Sequence, residues 1–141
     1  MKDTDTIFAL ATPGGKSGVA IIRISGISAI QVFSFFNMSK GTERELTKTK
    51  IYSPITRKVI DHALVVFFNS PKSFTGENIV ELHVHGSLGV IKQLTELLST
   101  IPSFRIAEPG EFTKRSFLAD KLDLTQVEGL VDLVDAETEA Q

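Results

Sequence analysis

Apolar residues along this chain follow two periods, one of two residues and one of about 3.6, and each marks a different element. Thr6 to Ala11 predicts a short strand, and Val19-Ala-Ile-Ile-Arg-Ile-Ser25, rich in β-branched residues, predicts a buried one. Gly14, Gly15 and Gly18 punctuate a turn between them. From Ser28 to Phe36, the spacing of Ala29, Ile30, Phe33 and Phe36 predicts a helix, and the polar stretch Met38 to Lys48 predicts a loop. Lys50 to Thr56 and Val59 to Phe68 predict strands that turn near Arg57 and Lys58. A turn-rich loop, Pro71 to Asn78, precedes a strand over Ile79 to His85. Ile91, Leu94 and Leu98 place one apolar face on a helix spanning Leu88 to Leu98. Phe104 to Ala107 predicts a short strand leading into Pro109-Gly110, a turn that opens a helix over Glu111 to Ala119.

Beyond Lys121 the pattern changes. Asp123-Leu-Thr-Gln126 resembles a helix N-cap with Gln at the reach-back position. Val127, Leu130, Val131 and Val134 then keep helical spacing, and no Gly or Pro follows to stop the helix. The expected organisation is a domain over residues 1–120 and the first helix of a further helical domain over 121–141, so the chain reads as part of a longer protein. Strands before and between helices, with at least one hairpin, predict an α+β fold: a mixed sheet covered by helices on one side.

Composition narrows the functional classes. With 141 residues, 42% hydrophobic and 23% charged, the chain suits one compact domain with a real core. A net charge of −2 argues against an extended nucleic-acid grip within the segment. The absence of cysteine excludes disulfides, thiolate catalysis and a Cys-type zinc site, and is compatible with a reducing cytoplasm. No apolar run approaches the ~20 residues of a membrane span, and the N-terminus lacks a signal pattern, so a cytoplasmic, non-membrane location is expected.

Gly15-Lys16-Ser17 matches the tail of a P-loop, but Leu10 stands where the first glycine belongs, and a strand rather than a helix follows. A Gly-rich turn is the expectation, and the chain alone is expected to lack GTPase activity. In the alternating strand Ile79-Val-Glu-Leu-His-Val-His85, Glu81, His83 and His85 share a face, with next-but-one residues ~7 Å apart. Three readings stand open for that face: an organic ligand, a polar structural surface, or a metal, for which His62 is the only further histidine. Arg23 interrupts an apolar strand and needs a partner if buried. Arg23 and Glu81 either pair directly or are held apart for a ligand. The segment Pro109 to Leu124, dense in mixed charge, reads by itself as a solvated helix with two caps, and nothing in its spacing indicates catalysis.

Three segments carry a family resemblance. DTIFALATPGGKSGVAIIRISG, SFTGENIVELHVHG and EPGEFTKRSFLADKLDLTQVEGLVDLVDA are similar, in this order, to motifs of the N-terminal domain of the MnmE/TrmE family of tRNA-modification GTPases. They span nearly the whole chain apart from the stretch around Asn37 to Lys50. Gly14 stands where a second proline is usual, Lys16 and Ser17 replace arginine and glycine, and Ser87 replaces the second glycine of an HGG motif. Ser116 and Ala119-Asp120 are milder departures.

The resemblance implies an aminomethyltransferase-like folate-binding fold that forms a homodimer and binds 5-formyl- or 5,10-methylene-tetrahydrofolate. It places folate contacts at Arg23, Glu81 and Lys121, and no catalytic or metal-ligating residue in this chain. For the parent protein it implies GTP hydrolysis with Mg and K at sites outside the chain, a flavin-dependent partner of the MnmG/GidA type, and aminomethyl-type modification at C5 of the wobble uridine of tRNA. A carboxylate such as Glu81 suits the pterin 2-amino and ring N–H donors. Arg23 and Lys121 suit the glutamate tail or polar atoms near the one-carbon unit, and which cation does which stays open. Two rival functions are a freestanding aminomethyltransferase-like enzyme and a purely structural dimerisation module.

Overall fold

A computed structural model describes residues 2–12 and 18–119. The P-loop-like residues 15–17, Lys121 and the expected helix after Asp123 lie outside the described residues. Six strands form one mixed sheet. They are β1 (Thr6–Leu10), β2 (Val19–Ser25), β3 (Thr47–Tyr52), β4 (Val59–Phe68), β5 (Ile79–His85) and β6 (Phe104–Ile106). Their order is β3-β4-β5-β2-β1-β6, with only the β1–β6 pair parallel. The α+β expectation holds.

The alternation of side chains divides the sheet into two unlike faces. Ala20, Ile22 and Ile24 of β2, Val80, Leu82 and Val84 of β5, and Ala63, Val65 and Phe67 of β4 all point into one apolar core. Two short helices close that core. α1 (Val32–Phe35) follows a single 3-10 turn at Ala29–Gln31 and contributes Val32 and Phe33; α2 (Leu88–Leu98) contributes Leu94, Leu97 and Leu98. The helix expected over Ser28 to Phe36 thus splits into a tight turn and one α-turn. Its entry is pinned by Gly26, at φ +150, where a Cβ would lie 2.5 Å from Thr6 Oγ1. The same Thr6 hydroxyl accepts the Ser28 N–H at 3.1 Å. Ser87 caps α2 by accepting the Val90 N–H at 3.2 Å.

Two expectations need correction. β3 begins at Thr47, three residues before the expected start, because Thr49 and Ile51 point inward while Lys48 and Lys50 remain in solvent. A polar edge strand of this kind has no apolar run to announce it. Helices also lie on both faces rather than one. α3 (Glu111–Leu118) meets the other face, opposite α1 and α2, through Arg115 and Phe112. On that second face Ser25, Ile79 and Val66 are also buried, and it opens to solvent toward His83, Leu64, Lys48 and Lys50, with Arg23 of β2 half-buried at the boundary.

Candidate functional site

On the open face, neighbouring strands bring Arg23 of β2 directly opposite Glu81 of β5. Arg23 Nε donates to Glu81 Oε2 at 3.0 Å, and Nη2 lies 3.0 Å from the same oxygen. The Arg23 guanidinium also sits over the Phe112 ring of α3, 5.8 Å from its centroid. Of the two arrangements open from sequence, direct pairing is the one observed. The pair is half-buried, with Arg23 30% and Glu81 17% exposed, so Arg23 is not the fully enclosed charge that a strand buried on both sides would have demanded.

His83, next along the same face, places Nε2 3.2 Å from Glu81 Oε1. His85 turns away, with Nδ1 2.7 Å from Asp61 Oδ1 of β4, while its backbone N–H donates to Oδ2. The three residues that alternation aligned therefore divide between two carboxylates. Among the described residues, no group of three or more His, Asp and Glu side chains is arranged to hold a metal ion.

The Arg23–Glu81 pair forms one wall of a cleft of about 500 Å³ that is also lined by Phe68, Phe74, Arg44 and Lys72. Apolar rings beside a carboxylate and cations suit a flat heteroaromatic ligand with polar edges. A carboxylate offers about four lone-pair sites. Arg23 faces Oε2 twice and His83 faces Oε1 once, leaving Oε1 able to accept from a ligand in the cleft. A second bond from the same ligand requires His83 to give way. As the pair stands, Glu81 has room for one pterin donor, and Lys121 falls outside the described residues.

Beside this cleft, α3 is held by an ion-pair network that sequence reading missed. Arg105 of β6 donates to Glu111 through Nη1 at 2.8 Å and Nη2 at 2.7 Å, and through Nε to Asp5 at 3.0 Å. Arg115 reaches Glu111 at 3.3 Å and both Glu77 oxygens at 3.0 Å. Glu77 in turn accepts from Ser25 at 2.8 Å. The solvated helix expected here is instead anchored by buried Glu111, Thr113, Arg115 and Ser116. The only local signal was the i,i+4 spacing of Glu111 and Arg115.

Burial pushes the Glu111 carboxyl upward, but the Arg105 hydrogen bonds, the Glu108 N–H and the charges of Arg105 and Arg115 outweigh it and hold its pKa at about 2. The bonds to Glu111 also raise Arg105 above its ordinary range. The backbone N–H of Lys2, with Arg105, lowers the Asp5 carboxyl. Because the folded pKa of Glu111 lies below its ordinary value of 4.5, its contribution is complete above that value and disappears as pH falls through about 2. Urea melts between about pH 5 and pH 2 should therefore lose roughly 2–3 kcal/mol through this group. Glu111→Gln should flatten that slope; an unchanged slope in the variant would assign the acid sensitivity elsewhere.

No helix among the described residues is long and apolar enough to cross a membrane. Comparison with known proteins gives the family context. The family model for the GTP-binding protein TrmE N-terminus matches residues 6–121. The chain is 52% identical over 141 residues to a tRNA modification GTPase MnmE of Anaplasma marginale, covering 100% of this chain and 31% of that protein. It is 47% identical over 138 residues to the protein of that name from Parvibaculum lavamentivorans, covering 97% and 32%. Against the Ehrlichia ruminantium protein of that name it is 51% identical over 137 residues, covering 96% and 30%. The chain spans about a third of the length of these curated relatives. It belongs to the family of the GTP-binding protein TrmE N-terminus.

Proposed function

We propose that this chain is the reduced-folate-binding and dimerisation module of a GTP-hydrolysing tRNA-modification protein. The observation that carries the folate reading is the Arg23–Glu81 pair, partly exposed on the wall of a cleft with Phe68 and Phe74. A residue pair serving the fold alone gains nothing from a carboxylate oxygen left accessible beside two aromatic rings. The ligand is 5-formyl- or 5,10-methylene-tetrahydrofolate, with the pterin edge on Glu81. Bound there, the folate would supply a one-carbon unit, at the formate level from the 5-formyl form or at the formaldehyde level from the 5,10-methylene form. Arg23 orients Glu81, Phe68 and Phe74 exclude water from the ring, and Lys121 adds a second cation.

The wider reading follows the same family. The fold is aminomethyltransferase-like, and the parent acts in the cytoplasm on C5 of the tRNA wobble uridine with a flavin-dependent MnmG/GidA-type partner. GTP, Mg and K bind outside this chain. Hydrolysis of GTP by the chain itself, above a matched blank, would contradict that division of labour. Dimerisation should appear in sedimentation at micromolar concentration.

One comparison separates the reading from its rivals. Calorimetric titration with 5-formyltetrahydrofolate should give saturable binding, while a one-carbon transfer assay with 5,10-methylene-tetrahydrofolate should give no product from the chain alone. Transfer without added proteins would make it a freestanding enzyme. Absence of binding would leave only the dimerisation module.

A further inference from the structure

Next to the Arg23–Glu81 cleft, the open face carries a second and larger depression of about 1000 Å³. Its lining includes Lys48, Lys50, His62, Leu64 and His83, and no carboxylate residue. Lys48 and Lys50 lie on the edge strand β3, opposite Leu64 and His62 of β4. Both lysines are exposed, and neither pairs with a carboxylate among the described residues. Two unpaired cations and a histidine at one end of a concave surface form an anion seat in a chain whose net charge is −2.

The two depressions are separate but meet at neighbouring residues of β5. His83 contacts Glu81 at 3.2 Å and also lines the larger one. Glu81 is paired with Val66 of β4, and Lys48 with Leu64, so Lys48 lies two strands across and two residues along from Glu81. At ~4.8 Å per strand and ~3.4 Å per residue, that is ~12 Å between backbones. Leu64, 37% exposed, stands between them. Along this line the face offers a hydrogen-bonding end, an apolar middle and a cationic end. A folate has the same order: pterin, aminobenzoyl ring, and a glutamate to which each added γ-linked glutamate contributes one more carboxylate.

We infer that the cleft at Lys48, Lys50 and His62 seats the poly-γ-glutamate tail of the folate, so that the protein selects polyglutamylated over monoglutamylated cofactor. This inference rests on the folate reading of the Arg23–Glu81 site. An RNA backbone is the less favoured occupant, because a grip on many phosphates needs a basic excess that the chain lacks. A short tail needs only a few cations.

The test is a pair of titrations with 5-formyltetrahydrofolate carrying one glutamate and carrying five. The five-glutamate form should bind about tenfold more tightly, the sum of a few partly exposed charge pairs, and rising salt should erode that advantage. The double variant Lys48→Ala with Lys50→Ala should bring the two forms within about twofold of each other, lowering the five-glutamate affinity far more than the one-glutamate affinity, and a melting curve matching the parent's should report that the variant is folded. Lys92→Ala, on α2 beside Glu96, should leave both affinities unchanged. Equal binding of the two forms by the parent overturns the tail site alone. Binding of neither overturns the folate reading and the tail site with it. A short RNA that competes for Lys48 and Lys50 without displacing the one-glutamate form would reassign the cleft to RNA and overturn the inference.

Discussion

Replacing Arg105 with alanine should destabilise the protein by roughly 3 kcal/mol, one of the two largest effects expected of any single change. Arg105 joins Asp5, one hundred positions earlier, to Glu111 on α3. Its removal leaves Glu111, 9% exposed, with only the 3.3 Å contact to Arg115 and the Glu108 N–H. An uncompensated carboxylate in that position carries most of the cost, since a well-made pair gains little over an apolar pair of the same shape. For a chain of this length the loss corresponds to a fall in Tm of roughly 10 °C. The double variant Arg105→Met with Glu111→Leu should recover a good part of the loss, because neither charge is then stranded. If the single variant melts within about 2 °C of the parent, the network does not hold α3 in place.

The second large effect falls on binding. Glu81→Ala should weaken 5-formyltetrahydrofolate by roughly 30- to 1,000-fold, equivalent to about 2–4 kcal/mol, because the pterin donors lose a charged acceptor and enter the cleft unpaired. Glu81→Gln should rescue little, since its amide turns a donor toward either the pterin or Arg23. Stability should change far less. Arg23 loses its ion pair but is 30% exposed and keeps its position over Phe112, so the expected cost is below about 1 kcal/mol. A variant that melts much earlier yet binds folate within about threefold of the parent would make the pair a structural strut.

Much of this architecture was legible in the chain, for identifiable reasons. The bounds of β2, β5 and α2 agree with the periodicity, because each keeps one side of its pattern apolar throughout and is followed by Gly or Ser. The shared face of Glu81, His83 and His85 followed from strand alternation alone. What alternation lacks is information about neighbours. Only the register of β2 on β5 decides that Glu81 meets Arg23, 58 positions away, and only Asp61 on β4 explains why His85 leaves the group. The same gap hid the α3 network, whose partners Asp5, Glu77 and Arg105 come from three other parts of the fold. β3 escaped notice at its start because Lys48 and Lys50 face solvent from an edge, where charge guards against pairing with other chains. The P-loop resemblance failed on two counts that the fold bears out: Leu10 ends β1, and a strand, β2, rather than a helix follows the turn.

The most direct test of the central claim is to locate the ligand. Amide chemical shifts of the isotope-labelled protein, recorded as 5-formyltetrahydrofolate is added, should move with saturation at Arg23, Phe68, Phe74, Glu81 and His83. Residues around Gly76, Lys114 and Arg115, which line a separate small cavity near α3, should stay still. Shifts centred on that second set, or no saturable shift at any site, would contradict a folate site at the Arg23–Glu81 pair.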